Sequence, residues 1–237
     1  SWDHDEWTYP VIVDNMMNLE LLFAATRETG DTTFYDMAVR HADNTVRHQY
    51  RDDMSSYHVV EFDTLTGQVS EKRTHQGYAD ESAWGRGQSW GLYGFTMVYR
   101  ETGARRFLDQ AIGIADFILG HSNLPADGVP YWDYDAPDIP DAPRDVSAGA
   151  IAASALLELA TYSPENADRY VGAADRILLS LSSPPYVATN EPPLPFLVTH
   201  SVGNHNVDSE VSVPIIYADY YYVEALLRKV AGRRSRR

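Results

Sequence analysis

An internal repeat is the sequence feature that most constrains how this chain folds. Residues 27–30 read Arg-Glu-Thr-Gly, and the same four residues recur at 100–103, an offset of 73 positions. At that offset Phe34 aligns with Phe107, and two alanines and an aspartate align as well. In each copy an apolar pattern of helical period ends at the glycine, and a second such pattern follows it. Because glycine commonly closes a helix, each copy is interpreted as two consecutive helices. The repeat therefore predicts stacked helical hairpins.

Extending this pattern along the chain predicts an all-α domain. Pro10 is expected in the first turn of the first helix, a position that suits proline. Between the first two hairpins, residues 57–62 and 68–72 have the composition of two short strands around a turn at Gly67. The seven predicted helices cover residues 10–29, 32–49, 84–102, 105–119, 148–161, 165–181 and 211–230.

The connections after the second, fourth and sixth helices are long, covering residues 50–83, 122–144 and 183–210. Loops of this length inside a helical domain are usually functional, so we expect a ring of helices with its site on one rim. One domain is expected over residues 1–232, followed by a basic tail at 233–237. The chain starts at Ser1 without a methionine, within a polar segment, and this suggests a fragment or a processed product.

Composition narrows the classes of partner. The formal net charge of −15 argues against nucleic acid or an anionic membrane as a general partner, and no apolar run approaches the length of a membrane span. The histidines near residue 200 and the aspartates between 133 and 141 lack the spacing of metal ligands. A phosphate-binding glycine loop, a nucleophile elbow and cysteine are all absent from the sequence. We therefore expect no metal and no other cofactor.

The segment from Trp84 to Trp90 is the first candidate binding site. Its two tryptophans flank Arg86 and Gln88, and the glycines between them allow other groups to approach the backbone. Indole rings stack on sugars, and a guanidinium binds a carboxylate through two parallel hydrogen bonds, so the segment is typical of a site for an acidic sugar. The alternative is an arginine that extends between two core tryptophans and keeps its charge in solvent.

Asp14 is the candidate general acid. It lies among apolar residues at the start of the first helix, where an unpaired carboxylate is costly and desolvation raises its pKa. A raised pKa is what a general acid near neutral pH requires. The competing interpretation is that Asp14 caps this helix or bonds to Asn15.

Further candidates lie in the long connections. His58 and Gln76 stand in the first one, where each could equally be structural, and residues 80–82 (Asp-Glu-Ser) are expected to cap the third helix. Trp132, in the connection 122–144, could offer a second sugar platform or pack over the helix ends.

Taken together, these stretches resemble the unsaturated glucuronyl hydrolases, family 88 of the glycoside hydrolases. The similarity runs along nearly the whole chain. The segments 14–19 and 84–90 together are highly specific for this family. The resemblance implies an (α/α)6 toroid of six helical hairpins. It also implies enzymes that act on the oligosaccharides left by polysaccharide lyases, whose non-reducing uronic acid carries a C4=C5 double bond. The matching segments are 14–19 (DNMMNL), 56–58 (SYH), 76–78 (QGY), 84–94 (WGRGQSWGLYG), 127–133 (DGVPYWD), 145–148 (DVSA) and 217–221 (YADYY).

The resemblance also implies roles for the candidate residues. Asp14 would protonate C4 and, as a carboxylate, take a proton from the water that attacks C5. The resulting hemiketal opens and releases the rest of the saccharide, so a pair of carboxylates flanking the glycosidic bond is not required. Ser201 and Asn204 fall in a segment near the next sugar that bears on sulfate tolerance, with Asn204 in place of a serine. The positions that match substrate contacts of the family are His58, Gln76, Trp84, Arg86 and Trp90.

One departure from the family concerns a second important aspartate, which the family carries in a His-Asp-x-Gly-Phe segment upstream of the general acid/base. Residues 4–7 (His-Asp-Glu-Trp) do not fit that segment. Six hairpins need about twelve helices, so we interpret the chain as the C-terminal part of the enzyme. Seven helices cannot close the ring, and the first and last are expected to expose apolar faces.

Three alternatives to this function stay open at this point. A rhamnogalacturonyl hydrolase would act on pectin fragments by the same chemistry, and a saccharide-binding remnant would have lost catalysis. A sugar epimerase on a similar toroid needs a histidine pair, and only His58 is placed to serve. The sequence does not determine the oligomeric state or whether the compartment is cytoplasmic or periplasmic in a bacterium.

Overall fold

A computed structural model describes residues 7–189 and 195–235. The start of the chain, including residues 4–6 of the segment compared above, and the last two residues of the predicted basic tail lie outside the described residues. Helices dominate, as predicted. The elements are β1 (Pro10–Ile12), α1 (Asn15–Thr29), α2 (Thr33–Gln49), β2 (Val59–Phe62), β3 (Val69–Arg73), α3 (Gly85–Thr102), α4 (Arg105–Gly120), α5 (Val146–Leu159), α6 (Ala167–Leu181), β4 (Ser201–Asn204), β5 (Ser209–Val213) and α7 (Ile216–Ser235).

The helices form two layers of a curved wall. In the inner layer α1 packs on α3, α3 on α5, and α5 on α7, while α2, α4 and α6 each pack outside the helix that precedes them. The inner helices α3 and α5 have neighbours on both sides and are buried over most of their length. They approach closely because their contact faces carry small residues: Gly94 of α3 lies against Met16 of α1, and α5 is rich in alanine. Each hairpin therefore contributes one helix to each layer.

The glycines of the Arg-Glu-Thr-Gly repeat close helices, as predicted. Gly30 and Gly103 follow α1 and α3 with positive φ of 73° and 64°, and each backbone N–H returns to a carbonyl of the last turn. This left-handed conformation is one that glycine adopts without steric cost. The repeated charges connect neighbouring inner helices: Arg27 pairs with Glu101, and Arg100 pairs with Glu158 at 2.9 Å.

Two small antiparallel sheets lie at the starts of the inner helices. The predicted hairpin of β2 and β3 is confirmed, but β1 joins it as a third strand. Pro10 is therefore not in the first turn of a helix, and α1 begins at Asn15, because the residues before it pair with β2. The β4–β5 hairpin was not predicted, and the expected start of the last helix at residue 211 is wrong because Val211 belongs to β5.

The last helix exposes an apolar stripe, as expected for a helix with inner-layer neighbours on one side. Its members recur every three or four residues on the face away from α5, and they are Ile216, Tyr220, Val223, Leu227 and Val230. Leu21 of α1 is also 73% exposed. The α7 helix continues to Ser235, three residues into the segment predicted as a tail. Among the described residues, no helix combines the length and apolar character needed to cross a membrane.

Candidate active site

The candidate residues meet where the inner helices begin. Asp14 immediately precedes α1, Trp84 precedes α3, Asp145 precedes α5, and Tyr217 lies in the first turn of α7. The positive ends of four helix dipoles therefore point toward one rim, which favours negative charge there. This is the rim on which the long connections were expected to build a site.

Strand pairing brings Asp14 and His58 together. In the antiparallel register Ile12 faces Val59, and the N–H of Val13 donates to the carbonyl of His58 at 3.1 Å. The next residue, Asp14, thereby lies beside the imidazole, with Nε2 of His58 3.8 Å from its Oδ2 atom. The two residues are 44 positions apart in the sequence, so the pairing of β1 with β2 is what brings them into contact.

Backbone amides fix the tautomer of His58. Its Nδ1 atom accepts hydrogen bonds from the N–H groups of His75 and Gln76, at 3.1 and 3.0 Å. An accepting Nδ1 carries no proton, so the neutral ring has its proton on Nε2, the nitrogen that faces Asp14. Burial, together with the charges of His75 and Arg86, holds the pKa of His58 well below its usual 6.5. His58 is therefore a neutral donor near pH 7.

The carboxyl of Asp14 has the property that a general acid needs. Burial raises its pKa to about 6, against the opposing effect of Arg86 and a hydrogen bond from Trp90. Although the residue occupies the cap position of α1, its side chain makes no capping hydrogen bond. Its Oδ2 atom is buried and has no hydrogen-bond partner among the described residues. The capping interpretation is therefore wrong, and the carboxyl is available for another role.

Arg86 does not present the open fork predicted from the sequence. One terminal nitrogen, Nη1, donates to Asp145 at 3.0 Å and also to the carbonyl of Val202, and Nη2 donates to the carbonyl of Gly203 at 2.7 Å. The side chain is buried, with its guanidinium over the ring of Trp84. A guanidinium occupied by protein acceptors cannot also grip a carboxylate through the same two nitrogens. Its charge still lies close enough to Asp14 to lower that pKa. The alternative of an arginine with its charge in solvent is excluded by the same burial.

The three candidate tryptophans are too buried to offer an exposed ring face to a sugar. Trp84, Trp90 and Trp132 are 2–4% exposed. Trp84 packs on the imidazole of His58, with ring centres 4.4 Å apart, and Trp132 stacks on His205 at 4.2 Å. The predicted stacking of sugars on open indole faces is therefore not what the structure shows. Trp90 instead donates a hydrogen bond to Asp14, and Trp84 covers the neighbouring imidazole of His58.

The β4 strand borders the site, because its carbonyls accept hydrogen bonds from Arg86. Gln76 donates from Nε2 to the carbonyl of Gly203 at 2.8 Å, so the loop that holds His58 is tied to this strand. Ser201 is buried, and its Oγ atom has no partner within the described part of the chain. Asn204 ends the strand and accepts a hydrogen bond from the N–H of Asn206. The structure thus brings all eight predicted binding residues to this rim, but several of them bond to protein groups.

The expected cap of α3 is also wrong. Ser82 donates to the buried carboxylate of Asp133 at 2.7 Å, and α3 has no side-chain capping bond. Sequence reasoning missed the roles of Asp133 and Asp145, both completely buried. Asp145 caps α5 and binds Arg86, and its sequence context, an aspartate two residues before a serine at the start of an apolar run, is a recognisable capping signal. In the described ranges no group of side chains has the arrangement of a metal site.

Comparison with known proteins places this site in a family. The chain is 49% identical to an unsaturated glucuronyl hydrolase of Formosa agariphila over 97% of its length. It is 39% identical to an unsaturated chondroitin disaccharide hydrolase of Streptococcus pneumoniae over 93% of its length. The chain belongs to the unsaturated glucuronyl hydrolase family. No family model matches the chain.

Solved structures of this family confirm the fold. One is an unsaturated glucuronyl hydrolase specific for heparin, with a TM-score of 0.94 and 46% identity over 99% of this chain. Another, from Bacillus sp. GL1, has a TM-score of 0.88 and 36% identity over 94% of this chain. The chain spans 57% and 56% of the lengths of the two curated relatives above, and 63% and 59% of these two structures. The predicted arrangement of helical hairpins is thus confirmed for the described part of the ring.

Proposed function

We propose that this chain carries the acid/base centre of an enzyme that removes the unsaturated uronic acid from lyase-generated oligosaccharides by hydrating its C4=C5 bond. The observation that carries the proposal is the Asp14 carboxyl: buried, raised in pKa to about 6, and not used as a helix cap. A group with this pKa is present in both protonation states near neutral pH. One residue can therefore act first as acid and then as base.

Hydration of the double bond balances with this single carboxyl. Protonated Asp14 gives its proton to C4, and the positive charge that develops at C5 is shared with the ring oxygen. The Asp14 carboxylate then takes a proton from the water that adds to C5, which restores the acid. The product is a hemiketal at C5; it opens to a ketone, and the hemiacetal left at C1 releases the remaining saccharide. The neutral His58, with Nε2–H directed toward Asp14, supports the carboxylate form by donating a hydrogen bond when the two groups approach.

The positive electrostatic potential at the rim supports binding of the negatively charged uronate. The charge of Arg86 and the positive ends of the inner helices favour an anion, although the Arg86 fork itself is engaged. Gln76 and the β4 strand, with Ser201 and Asn204, supply polar groups beyond the first ring. We propose that a uronyl oligosaccharide binds between Asp14 and this strand.

The relatives indicate which saccharides to test. They are named for unsaturated glucuronyl and chondroitin disaccharide substrates, and one solved relative is described as specific for heparin. A further solved structure, of a Streptococcus agalactiae mutant, is a complex with dGlcA-GalNAc6S. Unsaturated disaccharides from chondroitin and from heparin, with and without sulfate, form the panel, and an unsaturated rhamnogalacturonan fragment tests the pectin alternative.

The test is the ultraviolet absorbance of the conjugated double bond, which disappears on hydration. We expect the absorbance to fall with the wild-type chain and to stay constant with Asp14→Asn, which cannot transfer the proton. Asp36→Asn, at an exposed position in the first turn of α2, is the matched control and is expected to retain activity. A fall in absorbance that persists with Asp14→Asn would refute the proposal. A constant absorbance over the whole panel with folded wild-type chain would refute activity of this chain by itself on these saccharides, and activity with the pectin fragment alone would select the pectin alternative.

A further inference from the structure

Asp145 is a buried carboxylate of the site to which the hydration chemistry assigns no role. We propose that Asp145 is a positioning residue that holds Arg86 against β4 and balances the positive charge facing Asp14. The proposal rests on the proposed function, because it assigns a task within the same site. It goes further in naming the group that controls how strongly Arg86 acts on the acid/base.

The contacts of Asp145 connect three elements. Its Oδ2 atom accepts from Nη1 of Arg86 on α3 at 3.0 Å. Its Oδ1 atom accepts from the N–H groups of Ser147 and Ala148, which begin α5, and from that of Val202 on β4. The residue is completely buried. A single carboxylate thus sets the relative positions of α3, α5 and β4 at the rim.

Arg86 completes the connection to the substrate side of the site. Its guanidinium donates to the carbonyls of Val202 and Gly203, and Gly203 also accepts from Gln76. The strand that carries Ser201 and Asn204 is therefore held by the same arginine that Asp145 orients. Loss of the carboxylate would leave Arg86 attached to β4 through the two carbonyls but without its counter-charge.

Removing the negative charge of Asp145 should change the pKa of Asp14 in a defined direction. Among the described residues, the titratable groups that face Asp14 are His58 before β2, Arg86 on α3 and Tyr217 on α7. Of these only Arg86 is charged near neutral pH, since the pKa of His58 is lowered and burial raises the pKa of Tyr217 to about 12. The negative charge of Asp145 partly cancels that of Arg86. Removing it exposes Asp14 to more positive charge, which favours the carboxylate and lowers its pKa.

Asp145→Asn is the test, because asparagine retains an oxygen to cap α5 and removes the charge. We expect the pKa of Asp14, followed by carbon NMR of carboxyl-labelled aspartate and assigned by its loss in Asp14→Asn, to fall by about one pH unit. On a disaccharide that the wild-type chain hydrates, the alkaline limb of kcat against pH should move down by the same amount. The NMR titration needs no substrate, so it decides the proposal even if the proposed activity fails.

Glu158→Gln is the matched control. Glu158 lies at the other end of α5, about 20 Å from Asp145 at 1.5 Å per helical residue, and it also pairs with arginines, Arg100 and Arg228. This variant loses a partly buried carboxylate that also pairs with arginine, and it is expected to lose stability while leaving the Asp14 titration and the pH profile unchanged. An unchanged or raised pKa of Asp14 in folded Asp145→Asn would overturn the proposal, as would an equal shift in Glu158→Gln.

Discussion

Substituting Asp14 by asparagine should stabilise the fold while abolishing the proposed chemistry. The pKa of this carboxyl is about 6 in the folded chain, against 3.8 for an unperturbed aspartic acid. Because the folded state holds its proton more tightly, stability is lost as the pH rises from about 4 to about 6, and the loss stays constant above that. At about 1.4 kcal/mol for each pH unit between the two values, the charged carboxylate costs the fold at most about 3 kcal/mol.

The side chain of Asp14 is 22% exposed, so solvent screens part of this cost and a gain of about 1–2 kcal/mol is the working expectation. Asparagine carries no charge, so the gain should appear at pH 8 and vanish at pH 4. The assay is urea unfolding of wild-type and variant chains at both pH values, with Asp36→Asn as the control for a general effect of lost charge. Equal effects of Asp14→Asn at pH 4 and pH 8 would refute the argument that burial raises this pKa.

Three further predictions address the packing, the tautomer and the exposed helix face. Gly94→Ala should lower the free energy of unfolding in urea by about 1–3 kcal/mol, because a Cβ there overlaps Met16 of α1. Gly172→Ala in α6 is the control: its Cβ meets open space, and it should stabilise the fold by about 0.5–1 kcal/mol. Similar effects at both positions would contradict the close approach of α1 and α3. Nitrogen NMR should show His58 as neutral imidazole with its proton on Nε2 at pH 6, since two backbone amides bind Nδ1, and an imidazolium at that pH would count against the site geometry. The apolar stripe of α7 should cause concentration-dependent association in sedimentation velocity that Val223→Lys with Leu227→Lys removes; a wild-type chain that stays monomeric at high concentration would show that the stripe is tolerated in water.

The local sequence predicts the helices because their signals are short-range. Apolar residues of helical period, closed by Gly30 and Gly103, place most helix ends within two residues of those observed. The β2–β3 hairpin is predicted for the same reason. The missed strand β1 depends on a distant segment, because it forms only where β2 is available to pair with it. The β4–β5 hairpin is as local as β2–β3, and it is missed because its residues are assigned to a loop and to the start of the last helix.

Residue types in the sequence predict which side chains form the site. They predict the hydrogen bonds and protonation states of those side chains only in part. Asp14 is a candidate acid on residue type because a carboxylate among apolar residues implies desolvation, and the family resemblance implies its acid/base role. The structure shows the desolvation that raises its pKa. The sequence could not show that Arg86 is engaged, because its partners are Asp145 and two carbonyls of β4, between 59 and 117 residues away. Nor could it fix the tautomer of His58, which depends on two amides brought near by the fold. Residue identity determines which charges and rings are available, whereas distance and burial, which set pKa and hydrogen bonding, exist only once the helices and sheets have packed together.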